Sequence, residues 1–210
     1  MTMKAMQRIL LFLLLFVSNG APAQIADEVK EIMKKCEQKM NPPEGCEMDM
    51  DVKFLVIKMH VKSITKGQKS FMSTSAKMLG QEIKVDVGFD GSQEWEYDSQ
   101  TDSLIITKTT QRSDQEEDLD FNLDTKYKTA KMKVTDRHYE ITFTNPIKKD
   151  VPGKAVMKIS KGTYCLAEMQ MGSGLKSITM KITKIKFGNI DDSVFLLDPK
   201  KYPTAKILRK

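Results

Sequence analysis

The chain is poor in the residues from which most enzyme chemistry is built. Its 210 residues include two His, three Cys and one Trp, little material for a metal centre or for a nucleophile beside a base. No Gly-rich phosphate loop, HExxH, CxxC or Gly-x-Ser-x-Gly occurs, so each of those mechanisms lacks its anchor. His60 lies in a strand-like run, and His138 opens one beside Asp136; neither has a third ligand type nearby in sequence. The Asp191-Asp192 pair reads as a turn. With 11 Gly and 7 Pro, the composition is neither collagen-like nor low-complexity, and no repeat or linker interrupts it. Charge of one sign is not concentrated either. The 34 basic and 28 acidic residues leave +6, and the lysines alternate with apolar residues as on the wet face of a sheet. A nucleic-acid binder would gather them with stacking aromatics. The expectation is no nucleic-acid partner, no cofactor, no metal and no enzymatic activity.

Long apolar runs are absent except for one. Ile9 to Val17 is continuously apolar, preceded by Lys4 and Arg8 and followed by Ala21-Pro22-Ala23. Nine residues fall short of the roughly 20 that cross a bilayer. A charged start, a short apolar core and a small-x-small end read as a secretory signal over 1–23, cleaved before Gln24. The remaining 24–210 form one domain, soluble and exported. Loss of Lys4 and Arg8 leaves 32 basic against 28 acidic residues, or +4.

Export alters the reading of the cysteines, because the compartment is oxidising. Cys36 and Cys46 bracket an Asn41-Pro42-Pro43-Glu44-Gly45 turn. That spacing fits a disulfide pinning the preceding helix to the following strand, and it fits two separate buried thiols as well. Cys165 has no base nearby in sequence and reads as a packed core thiol.

One helix and then many strands are expected. Ile25, Val29, Ile32, Cys36 and Met40 recur at helical spacing, with charged residues between them, and Pro42-Pro43 stop the helix. From Cys46 the period becomes two. The run Val52–Val61 reads as one long strand with apolar residues on both faces; further strands are Lys69–Met78, Ile83–Phe89, Trp95–Tyr97 and Leu104–Lys108. Later ones centre on Ala130–Val134, Tyr139–Phe143, Ala155–Ile159, Tyr164–Met171 and Leu175–Phe187. In the last, Ile178, Met180 and Ile182 share a parity that Ile185 and Phe187 break, so a bulge is expected near Thr183-Lys184. About ten antiparallel strands give a single curved sheet, mainly β, with the N-terminal helix on its concave side. Lys131, Lys133, Lys158 and Lys181 would face solvent on the convex side. The acidic stretch Ser113–Asp124 fails the calcium-loop pattern, because the sixth and twelfth positions from Asp114 hold Leu119 and Thr125. It reads as a short acidic helix or flap.

Methionine is plentiful. Twelve remain after Met1, Met3 and Met6 are set aside, and most fall on expected strands. Flexible, polarisable side chains suit a surface that accepts several apolar shapes. A candidate acyl cavity therefore takes Val29, Ile32 and Met33 from the helix and Met72, Met78, Met132, Met157 and Met180 from strands. Trp95 and Tyr97 are candidates for its rim.

The segment Phe89-Asp-Gly-Ser-Gln-Glu-Trp-Glu-Tyr-Asp98 resembles the strand, DG turn and aromatic strand of periplasmic outer-membrane lipoprotein carriers, the LolA-like superfamily. The tail Ile185–Phe195, followed by Asp198-Pro-Lys-Lys-Tyr-Pro203, is similar to the closing strand of that family. The resemblance implies an unclosed antiparallel β-barrel around helices, with an apolar cavity for lipid or lipoprotein acyl chains. It also implies partners among membrane-associated lipoprotein-transport proteins. The chain departs from the family pattern between Lys69 and Phe89, where the Arg-Pro step and the strand arginine that holds the carriers' lid are missing. The alternative to a carrier is a scaffold whose own helix fills the concavity.

Overall fold

The period change at Cys46 divides a helix from a sheet in the computed structural model, which describes residues 25–78, 80–110 and 123–210, with the Met78 side chain set aside. The expected signal segment 1–23 and residues 113–122 of the acidic stretch lie outside the described residues. Helix α1 (Asp27–Met40) buries Val29, Ile32, Met33, Cys36 and Met40, one apolar stripe of 3.6-residue period. Asp27 and Glu28 in its first turn and Lys39 in its last oppose the helix dipole. Glu31 and Lys35, one turn apart, pair at 2.7 Å on the wet face.

Among the described residues twelve strands form one sheet. They are β1 (Cys46–Phe54), β2 (Ile57–Lys66), β3 (Lys69–Met78), β4 (Gln81–Phe89), β5 (Gln93–Asp98), β6 (Ser103–Lys108), β7 (Tyr127–Val134), β8 (His138–Pro146), β9 (Lys154–Ser160), β10 (Leu166–Met171), β11 (Ile178–Phe187) and β12 (Lys206–Arg209). A short helix α2 (Leu123–Lys126) leads into β7. The order is β12-β6-β5-β4-β3-β2-β1-β11-β10-β9-β8-β7, so two meanders meet where β1 pairs antiparallel with β11. The sheet is curved and does not close, as expected.

Two strands exceed the expected ten. Val52–Val61 is not one strand: the chain reverses at Leu55-Val56, and β1 and β2 pair through Phe54 and Ile57. The turn carries none of the Gly or Asn that mark a two-residue hairpin, which is why the sequence conceals it. The second addition is β12, which pairs parallel with β6 at the sheet edge. The expected bulge is present: the register of β11 against β1 slips beside Asp49 and Met50, and Thr183 donates its hydroxyl to the Asp49 carbonyl at 3.0 Å.

Register assigns every strand residue to one of two faces. The inner face meets α1. The outer face carries Lys131, Lys133 and Lys181 exposed and Lys158 half-buried, with Lys158 on Glu168 at 2.9 Å. The other arm of that face is not simply solvated. After β11 the chain crosses the outside of β2–β6 and packs Ile190 and Phe195 on Ile64 and Phe71, and Tyr202 on Trp95 and Leu104. Gly45, at φ +102°, permits this crossing, since a Cβ there would sit 2.6 Å from Ile190 Cγ1. Lys66 and Lys69 hold Asp192 at 2.8 and 2.7 Å, and Lys66 also donates to the Ile190 carbonyl at 2.9 Å.

Candidate functional site on the helix face of the sheet

One line of directly paired residues crosses nine strands of the inner face. It runs Met132, Ile141, Met157, Met169, Met180, Val52, Met59, Ala76 and Ile83. Every member is apolar. The neighbouring lines add Met50, Val61, Thr74 and Val85, and then Met48, Ser63, Met72 and Val87. By register, Met78 and Met171 also fall on this side, and Met33 and Met40 are buried on α1. All twelve methionines beyond residue 24 are therefore on α1 or on the face it covers. Alternation along a strand would scatter them over both faces unless side-chain type were matched to the face.

The two arms of this face differ. Over β7–β11 and β1, α1 is packed into the sheet as core: Met157 is fully buried and Met180 is 7% exposed. Val29, Ile32, Met33 and Cys36 share that cluster with Ile141, Phe143 and Ile159. Towards β2–β4 several apolar side chains are half-buried, among them Val52, Met59, Met72, Ile83, Val85 and Val87, while Val61 and Phe89 are buried. Thr74 and Ser63 interrupt this strip, and charged groups enter further along, with Glu94, Glu96 and Asp98 on β5. The strip can hold alkyl chains by dispersion and by removal from water, at about 0.8 kcal/mol per CH₂ buried.

Seven of the expected lining residues are thus gathered: Val29, Ile32, Met33, Met157 and Met180 in the core cluster, with Met72 and Met132 packed against it. Met78 shares the face by register, although its side chain is outside the described residues. Trp95 and Tyr97 do not join them. Trp95 pairs with Gly88 and Tyr97 with Asp86 on the outer face, where the indole is 3% exposed and donates to the Phe195 carbonyl at 3.3 Å. Period-two reading located both residues on one strand side correctly, but only the register between strands says which side meets the helix. Met48, Met50 and Met59 were obscured by the hidden hairpin. Splitting Cys46–Lys66 at Leu55-Val56 restores a clean alternation in both halves.

Cys36, Cys46 and Cys165 are free and buried. The Cys36–Cys46 bond considered from sequence is not formed in the structure. Burial pushes the Cys36 thiol up to about 12 and that of Cys46 up to about 11, with Cys165 near both raising them further. Cys36 and Cys46 are neutral packing groups.

The outer face holds a polar counterpart. Asp86, 1% exposed, accepts from Ser73 Oγ at 2.6 Å and from Tyr202 at 2.8 Å, and Lys84 Nζ lies 2.9 Å away. Burial first, and the hydrogen bond to Asp86 next, lift the Tyr202 phenol far above its ordinary range. A cavity of about 280 Å³ adjoins this group, lined by Phe71, Lys84, Trp95, Leu196 and Lys201 among others.

The class of protein is a single-sheet, unclosed half-barrel seated on an N-terminal helix, as the LolA-like resemblance implies. Among solved structures the chain is similar to an uncharacterized conserved protein from Thermus thermophilus, at 12% identity and TM-score 0.58 over 87% of this chain and 99% of that one. It is also similar to a LolA superfamily protein from Nitrosomonas europaea (12%, TM-score 0.37, 80% and 97%) and to LprF from Mycobacterium bovis (7%, 0.46, 82% and 99%). At these identities the likeness is one of fold. No protein-family model and no curated protein matches the sequence. No helix among the described residues is long and apolar enough to cross a membrane.

Proposed function

We propose that this protein is an exported periplasmic carrier or binder of acyl chains, either of lipoproteins or of free lipids, and that the signal segment 1–23 is removed from it. The observation that carries the reading is the sorting of all twelve methionines onto α1 and the face it covers. Selection for a plain core would not demand so flexible a side chain so consistently. The acyl chain would enter along the half-buried strip of Val52, Met59, Met72, Val85 and Val87 and lie against the open edge of α1. Its partners would be membrane-associated lipoprotein-transport proteins, and nucleic acid has no part in it. No step of this role is enzymatic.

The rival reading is a scaffold whose helix fills its own concavity, and the full burial of Met157 favours it for the β7–β11 arm. Native mass spectrometry of gently purified protein separates the two. Co-purified lipid, with uptake of a fluorescent fatty acid, supports the carrier. A bare chain that takes up no fatty acid overturns it and leaves the scaffold.

A further inference from the structure

Nine large hydrophobic side chains are exposed among the described residues, and five of them sit at one rim of the sheet: Leu55, Val56, Ile147, Leu175 and Ile178. Val56 is 93% and Leu175 85% exposed. Leu55, Val56, Ile147 and Leu175 lie in three turns, and Ile178 opens β11 directly after one of them. Phe54 pairs with both Ile57 and Ile178, Met171 with Ile178 and with Ala155, and Thr144 with Lys154. The β1–β2, β10–β11 and β8–β9 turns are therefore consecutive along the same edge. Neighbouring strands are about 4.8 Å apart, so the three tips span roughly 19 Å in a line.

The charge around these tips is predominantly positive. Residues 53–58, 147–154 and 172–178 contain six lysines (Lys53, Lys58, Lys148, Lys149, Lys154 and Lys176) and one acid, Asp150. All six lysines are exposed. None of them is in an ion pair among the described residues, whereas Lys62, Lys66, Lys69, Lys84 and Lys158 on the outer face all are. Turn chemistry does not account for the apolar tips. Leu55 holds φ +55°, a conformation that glycine or asparagine takes at less steric cost, and a soluble hairpin gains nothing from a β-branched Val56 in water.

We propose that this rim docks on the surface of an anionic lipid bilayer, with the apolar tips entering the headgroup boundary and the lysines meeting lipid phosphates. Short apolar side chains ringed by unpaired lysines are the chemistry of interfacial binding. The charge complementarity selects a bilayer over a neutral protein surface. This holds whether or not the α1 face takes acyl chains.

The test is co-sedimentation of the protein, purified after export in the form the cell makes, with vesicles of phosphatidylcholine containing phosphatidylglycerol and with vesicles of phosphatidylcholine alone. Binding to the anionic vesicles that weakens with salt is expected. It should fall about tenfold in Val56→Ser and in Leu175→Ser, each losing an inserted side chain. Both sites are exposed, so folding is unaffected, and melting curves verify that. Val134→Ser, exposed at the far end of β7, should bind as the unmodified chain does. No binding to anionic vesicles, equal binding to neutral ones, or tip variants that bind undiminished would each overturn the proposal.

Discussion

Tyr202 donates its hydroxyl to Asp86 Oδ2 at 2.8 Å although 116 positions separate the two residues. The bond ties the chain after β11 to the middle of β4, across the outer face, and so aligns β12 with the edge of β6. Tyr202→Phe removes one of the two side-chain donors on that buried oxygen, the other being Lys84, which costs about 1–3 kcal/mol. The adjoining cavity can admit water to that oxygen, so the loss should fall at the low end. Urea unfolding of the variant checks it; an unchanged midpoint would mean that the bond contributes nothing.

Gly88 lies beneath the Trp95 indole, and a Cβ there would overlap the ring. Gly88→Ala should therefore move Trp95 and its contacts with Phe71 and Tyr202, whose ring centroids are 5.9 and 6.0 Å away. Since Trp95 is the only tryptophan, its fluorescence reports the change without ambiguity. The expected result is a red shift with a loss of about 1–3 kcal/mol from overpacking.

How much of this was legible in the sequence depends on the range of the signal. The α1 stripe and the Thr183 bulge are local periodicities, and both could be read directly. The Leu55-Val56 reversal is also local, but its residues contradict the usual turn chemistry, so two strands read as one. Trp95 and Tyr97, candidates for the rim from sequence, lie on the outer face instead, because face depends on pairing partners far away in sequence. The crossing of residues 188–205 depends on Gly45, Ile64 and Asp86 together, and no single segment announces it. The grouping of the methionines emerges only after register is known.

Asp192 links pH to that crossing. Its carboxyl is held at about 2, below the usual 3.8, by the hydrogen bond from Lys66 and then that from Lys69. A depressed folded-state value means that its contribution is complete above about 3.8 and is lost as pH falls towards 2. The pair is exposed and screened, so the effect is small. Asp192→Asn should flatten the decline of melting temperature between pH 4 and pH 2. Parallel curves for the two proteins would contradict the assignment.

The buried thiols should be inert. With Cys36 near 12 and Cys46 near 11, hardly any thiolate exists at neutral pH, and labelling must wait for opening of the core. Native protein should react slowly with a thiol reagent, and denaturant should release three thiols. A single thiol after denaturation would instead mean that Cys36 and Cys46 are joined in the isolated protein.

Met180 and Met72 separate core from binding surface. Met180 is 7% exposed and is paired with Val52 and Met169 in the line beneath α1. A lysine there has neither water nor a counter-charge, so Met180→Lys should cost about 3–5 kcal/mol and abolish folding or nearly so. Met72 is half-buried towards β2–β4, where a lysine stem can lie along the apolar strip and carry its ammonium out to water. Met72→Lys should stay folded, within about 1–2 kcal/mol of the unmodified chain, and lose uptake of a fluorescent fatty acid. Thermal melts and fatty-acid titration of both variants provide the comparison. A folded Met72→Lys protein that still binds would remove the β2–β4 strip from the binding surface. A folded Met180→Lys protein that no longer binds would instead move the acyl site beneath the helix itself.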